Sequence, residues 1–312
     1  MKNQTQRAAL AVLVCLLAVS CSKSKQADSK SQSKNSNSSE PAVELKVKWT
    51  LGKKNVQRMA IVSKVDMGSG RQQATDMSWD YSLNTSKQLD TGGHEVELEF
   101  LTTKMEAKAG DRVYMSFDSA HDDGKDKKDP ITPALRKMVG GKLRYILNAD
   151  NKVERLDGYD DFMVRIARGS KNSEVLKGMF SQDTLKHLCG WTDVLPDHPV
   201  RPGDTWKYAM NMNLYGMANM TIDGKFTFIN WEDHGGHKCV KLDFDGTISG
   251  KGGGAAPFTI EKGRMHGSSW FDPEQGVGIA SDNDQTMTIN VKQRGNSMSQ
   301  QIIQNVTTTL VE

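Results

Sequence analysis

Hydrophobic and polar residues alternate along several segments of this chain. In segment 43–51 every second residue is apolar and charged residues stand between most of them. A period of two is typical of a β-strand with one buried face. The same alternation recurs at 77–83, 96–100 and 113–117, and the connections between these segments are short and polar. We therefore expect an opening strand at 43–51 followed by antiparallel strands joined as a meander.

The middle third of the chain changes to helical spacing. Thr132 followed by Pro133 provides an N-cap and a first-turn proline for a short helix. Segment 159–190 has apolar residues along one helical side, among them Val175, Leu176, Met179 and Phe180. Alternating segments return after residue 200. The pattern predicts a mainly β (α+β) fold: a large antiparallel curved sheet or β-sandwich, with two or three helices in the middle third. A diverged duplication of the two flanking groups of strands is left open.

The N-terminus has the features of an export signal. An apolar run at 8–19 follows Lys2 and Arg7, and it is shorter than the roughly 20 residues that a membrane-spanning helix needs. The string Leu17-Ala18-Val19-Ser20-Cys21 resembles the bacterial lipobox. This resemblance implies a signal peptide at 1–20 and thioether lipidation of Cys21, and Ser22 after the cysteine implies sorting to the outer membrane. The alternative is an ordinary signal peptide and a secreted protein.

A polar segment follows the predicted anchor. Residues 22–42 contain no Val, Ile, Leu, Met or aromatic residue, so they cannot bury enough apolar surface to offset the entropy of ordering. We predict a disordered Ser/Lys-rich linker at 21–42 and a single β-rich domain at 43–312. Six of the 41 basic residues and two of the 38 acidic residues lie before residue 43. The predicted domain is therefore nearly neutral, which makes nucleic acid an unfavourable partner.

Two cysteines lie in the predicted domain, Cys189 and Cys239. In an exported chain they form either a disulfide or two buried free thiols, and the sequence leaves both alternatives open. Cys239 also lies near His234 and His237, which are possible metal ligands. Gly235 and Gly236 between the histidines are typical of a hairpin turn. We expect neither a metal nor another cofactor, and His234 and His237 remain the candidates for one.

A methionine-rich segment follows residue 205. Its alternate residues fall on one strand face: Trp206, Tyr208, Met210, Met212 and Leu214. Such a face belongs to the core of the domain or, because methionine side chains repack easily, to the wall of an apolar ligand site.

Catalytic signatures are scarce in the sequence. It contains neither G-x-S-x-G nor H-E-x-x-H. Cys189 and His187 form the local Cys-His pair, but at positions i and i+2 of a helix their side chains point apart. We therefore expect a protein that is not an enzyme, with an undetected hydrolase as the third hypothesis.

Several longer segments carry a family resemblance. "DRVYMSFDS", "GGKLRYILNADNKVERLDGYDDF", "LPDHPVRPGDTWKY" and "GSSWFDPEQGVGIASDNDQTMTINV" resemble a family of uncharacterised β-rich bacterial lipoproteins. The resemblance implies export and a large antiparallel sheet, and it assigns no functional residue. The leading hypothesis is an outer-membrane-anchored lipoprotein that faces the periplasm or the exterior and binds an apolar ligand or envelope component. The alternative is a structural or protein-interaction module of the cell envelope.

Overall fold

The computed structural model describes residues 40–68, 70–121, 131–168, 176–177, 180–213, 218–252, 258–293 and 296–311. The predicted signal peptide, Cys21 and nearly all of the predicted linker lie outside these residues. Leu214, Val175 and Met179 also lie outside them. In the part of the chain that is described, no helix is long and apolar enough to cross a membrane.

Among the described residues, twelve strands form one antiparallel sheet, which confirms the predicted fold class. The strands are β1 (Lys54–Asp66), β2 (Gln72–Gln88), β3 (His94–Ala109), β4 (Arg112–Asp118), β5 (Lys142–Leu147), β6 (Val153–Asp157), β7 (Thr205–Asn213), β8 (Ala218–His234), β9 (His237–Gly252), β10 (Phe258–Asp272), β11 (Val277–Gln293) and β12 (Asn296–Leu310). Their order is β6-β5-β3-β2-β1-β12-β11-β10-β9-β8-β7, and β4 pairs with β3 beside β5. The first and last strands are neighbours, so the strands before and after the helices belong to the same sheet.

Short helices connect the two groups of strands, as the sequence predicts. They are α1 (Thr132–Met138), α2 (Tyr159–Ala167) and α3 (Gln182–Lys186), followed by 3-10 turns at His187–Cys189 and Trp191–Asp193. Pro133 stands in the first turn of α1, but the predicted N-cap is wrong: Ile131 occupies the N-cap position without a side-chain cap, and Thr132 is already the first helical residue. The side chain of Ser181 caps α3 by accepting a hydrogen bond from the backbone N–H of Thr184 at 3.1 Å.

The opening strand predicted at 43–51 is wrong. The segment has alternating burial, with Leu45 in the core, but only Val43 pairs with another extended segment, through an isolated bridge to Val200. Its backbone otherwise bonds to turns at one end of the sheet. The N–H of Lys48 donates to the carbonyl of Gly276 at 3.0 Å, and the Asn151 side chain donates to the carbonyl of Val47 at 2.8 Å. A period of two therefore indicates which side chains are buried. Pairing as a strand depends on whether another extended segment lies beside the backbone.

Two apolar clusters account for most of the buried residues. One covers the inner face of β1–β5 and is closed by the helices, with Phe100 stacked against Phe162 of α2. The other covers the inner face of β7–β12 and includes Val194 and Val200 from the connecting segment. The candidate functional site lies where segment 188–194 passes between these two clusters.

Candidate functional site: a cavity under segment 188–194

A partly enclosed cavity of about 70 Å³ lies between segment 188–194 and the inner face of the sheet. Its lining comes from β1, β2 and β7–β12 together with this segment: Gln57, Met59, Tyr81, Leu83, Leu188, Cys189, Gly190, Trp191, Val194, Tyr208, Phe226, Phe244, Met265, Ser269, Ser281, Asn283 and Thr308. A water molecule needs roughly 10–15 Å³ of such space, so the cavity has room for about five waters or for a group of similar size. Because the cavity is only partly enclosed, a longer chain would extend out of it. No lining residue is an acid, a lysine, an arginine or a histidine.

One side of the cavity is polar but uncharged. Thr308, Ser281 and Ser269 are direct cross-strand partners on β12, β11 and β10, so they form a row across three adjacent strands. Asn283 lies two residues from Ser281 on the same face of β11, and Gln57 comes from β1. These five side chains are hydrogen-bonding groups brought together by the register of the sheet.

Gln57 is the most constrained member of this polar side. It is only 6% exposed, and its Oε1 accepts a hydrogen bond of 2.9 Å from the hydroxyl of Tyr81. Burial raises the pKa of Tyr81 well above its usual value, which keeps the hydroxyl protonated as a donor. The amide nitrogen of Gln57 has no hydrogen-bond partner among the described residues. The Tyr81 contact therefore fixes the glutamine and leaves its donor at the cavity.

The opposite side of the cavity is aromatic. The rings of Phe226 and Phe244 lie 4.9 Å apart, and Tyr208 packs edge-on against both of them at 5.5 and 5.8 Å. Gly224 and Gly246 are direct partners on β8 and β9. A Cβ atom at Gly246 would lie 2.6 Å from Cζ of Phe244, and one at Gly224 would lie 2.7 Å from it. These two glycines leave the space that the Phe244 ring occupies.

Segment 188–194 covers the cavity and is anchored on both sides. The indole of Trp191 packs against Phe271 with ring centroids 5.5 Å apart. It also lies so close to Gly278 that any Cβ there would overlap the ring. At the end of the segment, the carbonyl of Val194 accepts a hydrogen bond of 2.8 Å from Nε1 of Trp206. Trp191 and Val194 therefore hold the cover against the sheet.

The predicted apolar face of β7 is only partly a cavity wall. Tyr208 lines the cavity, whereas Met210 and Met212 are buried in the apolar cluster and do not reach it. Trp206 supports the cover through Val194. The sequence patterns do not point to most of the residues that line the cavity, including Gln57 and the row of hydroxyls. Single serines and threonines within alternating strands give no signal until the strand order is known.

Both cysteines of the described chain are free and buried. Cys189 belongs to the helix-covered cluster, while Cys239 belongs to a small separate cluster with Val277 and Ile279. The disulfide, one of the two alternatives left open by the sequence, is therefore not formed, because the thiols lie in different parts of the core. Burial, and secondarily the carboxylate of Asp193, raises the pKa of Cys189. Burial raises the pKa of Cys239 to about 11.

The histidine candidates for a metal site do not converge. His234 stacks on the ring of Trp270 with centroids 4.2 Å apart. His237 donates through Nδ1 to the carboxylate of Asp272 at 2.8 Å. Within the described ranges, no group of three His, Cys, Asp or Glu side chains has the arrangement of a metal site. The two imidazoles therefore have separate structural contacts.

The fold and the cavity together define a β-rich protein with an internal, uncharged site. The chain belongs to a family of unknown function, DUF6263, whose model matches residues 91–307. No curated protein matches the chain by sequence. The family membership agrees with the uncharacterised family expected from the sequence.

Three solved structures are similar to this chain at a low level. A structure described as lipid–protein interactions in lipovitellin has 6% identity and a TM-score of 0.46, with 85% of this chain covered. This chain spans about a quarter, 26%, of that protein. DynF of the dynemicin biosynthesis pathway of Micromonospora chersina has 7% identity and a TM-score of 0.22, covering 89% of this chain and 92% of DynF. An outer membrane channel from Pseudomonas putida F1 has 8% identity and a TM-score of 0.24, covering 85% and 97%. Similarity at this level assigns no function.

Proposed function

We propose that this protein is an outer-membrane-anchored lipoprotein that binds an apolar ligand, without catalysis, in the cavity under segment 188–194. The observation that carries the proposal is the cavity itself, which lies between an aromatic wall and an apolar cover. Apolar surface transferred from water into such a site contributes roughly 25 cal/mol per Å². Met59, Leu83 and Met265 extend the apolar lining onto β1, β2 and β10.

The state of the thiols supports a non-catalytic role. A nucleophilic cysteine acts as the thiolate and therefore needs a lowered pKa. Cys189 lines the cavity, but burial raises its pKa instead. Cys239 is buried elsewhere and its pKa is also raised. The third hypothesis, a cysteine hydrolase, thus has no activated nucleophile at the cavity.

The proposed location rests on the N-terminal sequence. Lipidation of Cys21 would attach the domain to the outer membrane through the linker at 21–42, because two or more acyl chains give stable anchoring. The segment that follows the linker is fixed to the sheet by the Val43–Val200 bridge and by Lys48. The anchor would therefore hold the domain, and with it the cavity, close to the membrane surface.

The alternative, a protein-interaction module, needs a continuous exposed apolar patch. The exposed large apolar side chains of the described chain include Val62 on β1 and Ile303 on β12. These two residues are diagonal neighbours in the sheet, since Ile303 pairs with Lys64. A pair of this size is smaller than a docking surface, so the cavity is the better supported site.

The test uses the full chain with Cys21→Ser, exported and purified without detergent. We expect native mass spectrometry to show an added mass that leaves on denaturation. A cavity-filling variant, Ser281→Leu, should lack this mass, and the matched control Thr286→Leu, on the exposed face of the same strand, should keep it. If the Cys21→Ser chain shows no added mass and also fails to bind 1-octanol, the proposal is contradicted.

The anchor has its own test. Cells grown with labelled palmitate should incorporate label into the natural chain and not into the Cys21→Ser variant. The variant should leave the membrane fraction. Label that persists in the variant, or an unlabelled natural chain, would contradict lipidation of Cys21.

A further inference from the structure

The polar side of the cavity carries information about the ligand that the apolar walls do not. From the geometry we infer that the cavity selects an uncharged amphiphile, whose hydroxyl, ester or amide head bonds to Gln57 and to the hydroxyl row of Thr308, Ser281 and Ser269. This inference rests on the proposed function and adds the chemical class of the ligand.

The first observation is an unused hydrogen-bond donor. Gln57 is more than nine-tenths buried and lines the cavity. Its Oε1 is occupied by Tyr81, and its amide nitrogen has no partner in the described parts of the chain. A donor that loses water and finds no partner costs free energy, so a ligand that accepts a hydrogen bond from this nitrogen gains affinity relative to one that covers it without accepting.

The second observation is the neighbouring row of hydroxyls. Ser269 is 7% exposed, and its side chain, like those of Ser281 and Thr308, has no hydrogen bond to the described residues. The register makes the three direct neighbours across β10, β11 and β12. Each hydroxyl donates or accepts as the ligand requires. A head group placed beside Gln57 can therefore bond to several of these groups at once.

The third observation is the absence of charge from the lining. None of the 17 described residues that line the cavity is an acid, a lysine, an arginine or a histidine. Asp193 of the covering segment acts on Cys189 through its charge, but it is not part of the lining. A carboxylate or an ammonium group in this position would lose hydration without gaining a counter-ion, which is costly in a buried site. Neutral head groups avoid this cost. The lining should therefore bind uncharged amphiphiles more tightly than fatty acids or cationic amphiphiles of the same chain length.

The experiment compares three probes with one chain length: 1-octanol, octanoate and octylammonium. They are titrated at pH 7.5 into the detergent-free Cys21→Ser full chain carrying ¹³C-methyl methionine. Met59 and Met265 line the cavity and should shift on binding, while the buried Met212, which does not line it, should shift less. We expect octanol to bind at least about tenfold more tightly than either ion, given the cost of burying an unpaired charge.

Variants then identify the groups that hold the head. Gln57→Met keeps the approximate size and removes the amide, so octanol should bind about two- to twelvefold more weakly, as expected for one net hydrogen bond. Gln300→Met changes a buried glutamine of β12 that does not line the cavity, and it should leave octanol binding unchanged. Ser269→Ala combined with Thr308→Val provides a second test that should also weaken octanol binding, even where Gln57→Met fails to fold.

The outcomes distinguish the two proposals. Binding of all three probes with equal affinity, or preference for an ion, would overturn the neutral-head inference and leave the apolar site intact. Unchanged octanol affinity in both polar variants would also overturn it. If no probe shifts Met59 or Met265, the proposed function itself fails.

Discussion

The hydroxyl of Tyr81 donates a hydrogen bond of 2.9 Å to Oε1 of Gln57, its direct partner across β1 and β2. Both residues are buried, and both line the cavity. A single contact therefore links the stability of the sheet to the orientation of the polar group that we assign to ligand binding.

Tyr81→Phe should reduce the free energy of unfolding by about 1–3 kcal/mol, because it leaves a buried carbonyl oxygen of Gln57 without its donor. Urea denaturation measures this loss. The control Ser116→Ala removes an exposed hydroxyl from β4 and should cost less than about 0.5 kcal/mol. Equal losses in the two variants would contradict the role of the Tyr81 contact.

Gly278→Ala should destabilise the protein by about 1–3 kcal/mol, because the added methyl group overlaps the indole of Trp191. The loss should be smaller when Trp191→Leu is already present, since the smaller side chain leaves room for the methyl group. A double-mutant cycle in urea measures this coupling. Strictly additive losses would show that Trp191 does not lie against Gly278.

The stability of the protein should fall at alkaline pH. Burial raises the folded-state pKa of Cys189 and Cys239 above the ordinary thiol value of 9.0, and that of Tyr81 and Tyr145 above 10.0. Between the unfolded and folded pKa values, the folded state retains protons that the unfolded state has lost. These contributions are therefore fully present below about pH 9 and decrease above it, at about 1.4 kcal/mol per pH unit for each retained proton.

Urea denaturation from pH 8 to pH 11 measures this slope. Cys239→Ala removes one of the titrating groups, so its stability should decrease less steeply above pH 9. A stability that stays constant to pH 11 would contradict protonated, buried thiols and phenols.

The thiols of the folded protein should react slowly. Cys189 and Cys239 are free but buried, so a thiol reagent should modify the Cys21→Ser chain, after export and signal cleavage, only on a slow timescale. In denaturant both thiols should react at once. The intact mass of the unreduced protein should show no loss of two hydrogens, and such a loss would establish the disulfide that the structure lacks.

Much of the sheet could be predicted from local pattern. Strand β3 alternates apolar and polar residues through Val96, Leu98 and Phe100, and all three are buried on one face. Pro133 correctly marked the start of α1. Such signals are local, because the period of a strand and the chemistry of a helix start depend on adjacent residues. The same reasoning failed at 43–51, where burial alternates although the backbone pairs with turns instead of strands.

The sequence by itself determined the class of the protein: an antiparallel β-rich chain with helices in the middle, preceded by a segment that resembles an export and lipidation signal. Only the tertiary structure decided which residues line the cavity. Gln57 and Thr308 are 251 positions apart in the chain, yet they meet at one cavity because β1 and β12 are adjacent in the sheet. Pairing between distant strands depends on contacts of the whole sheet, so no local pattern specifies which isolated serine, threonine or glutamine will share a site.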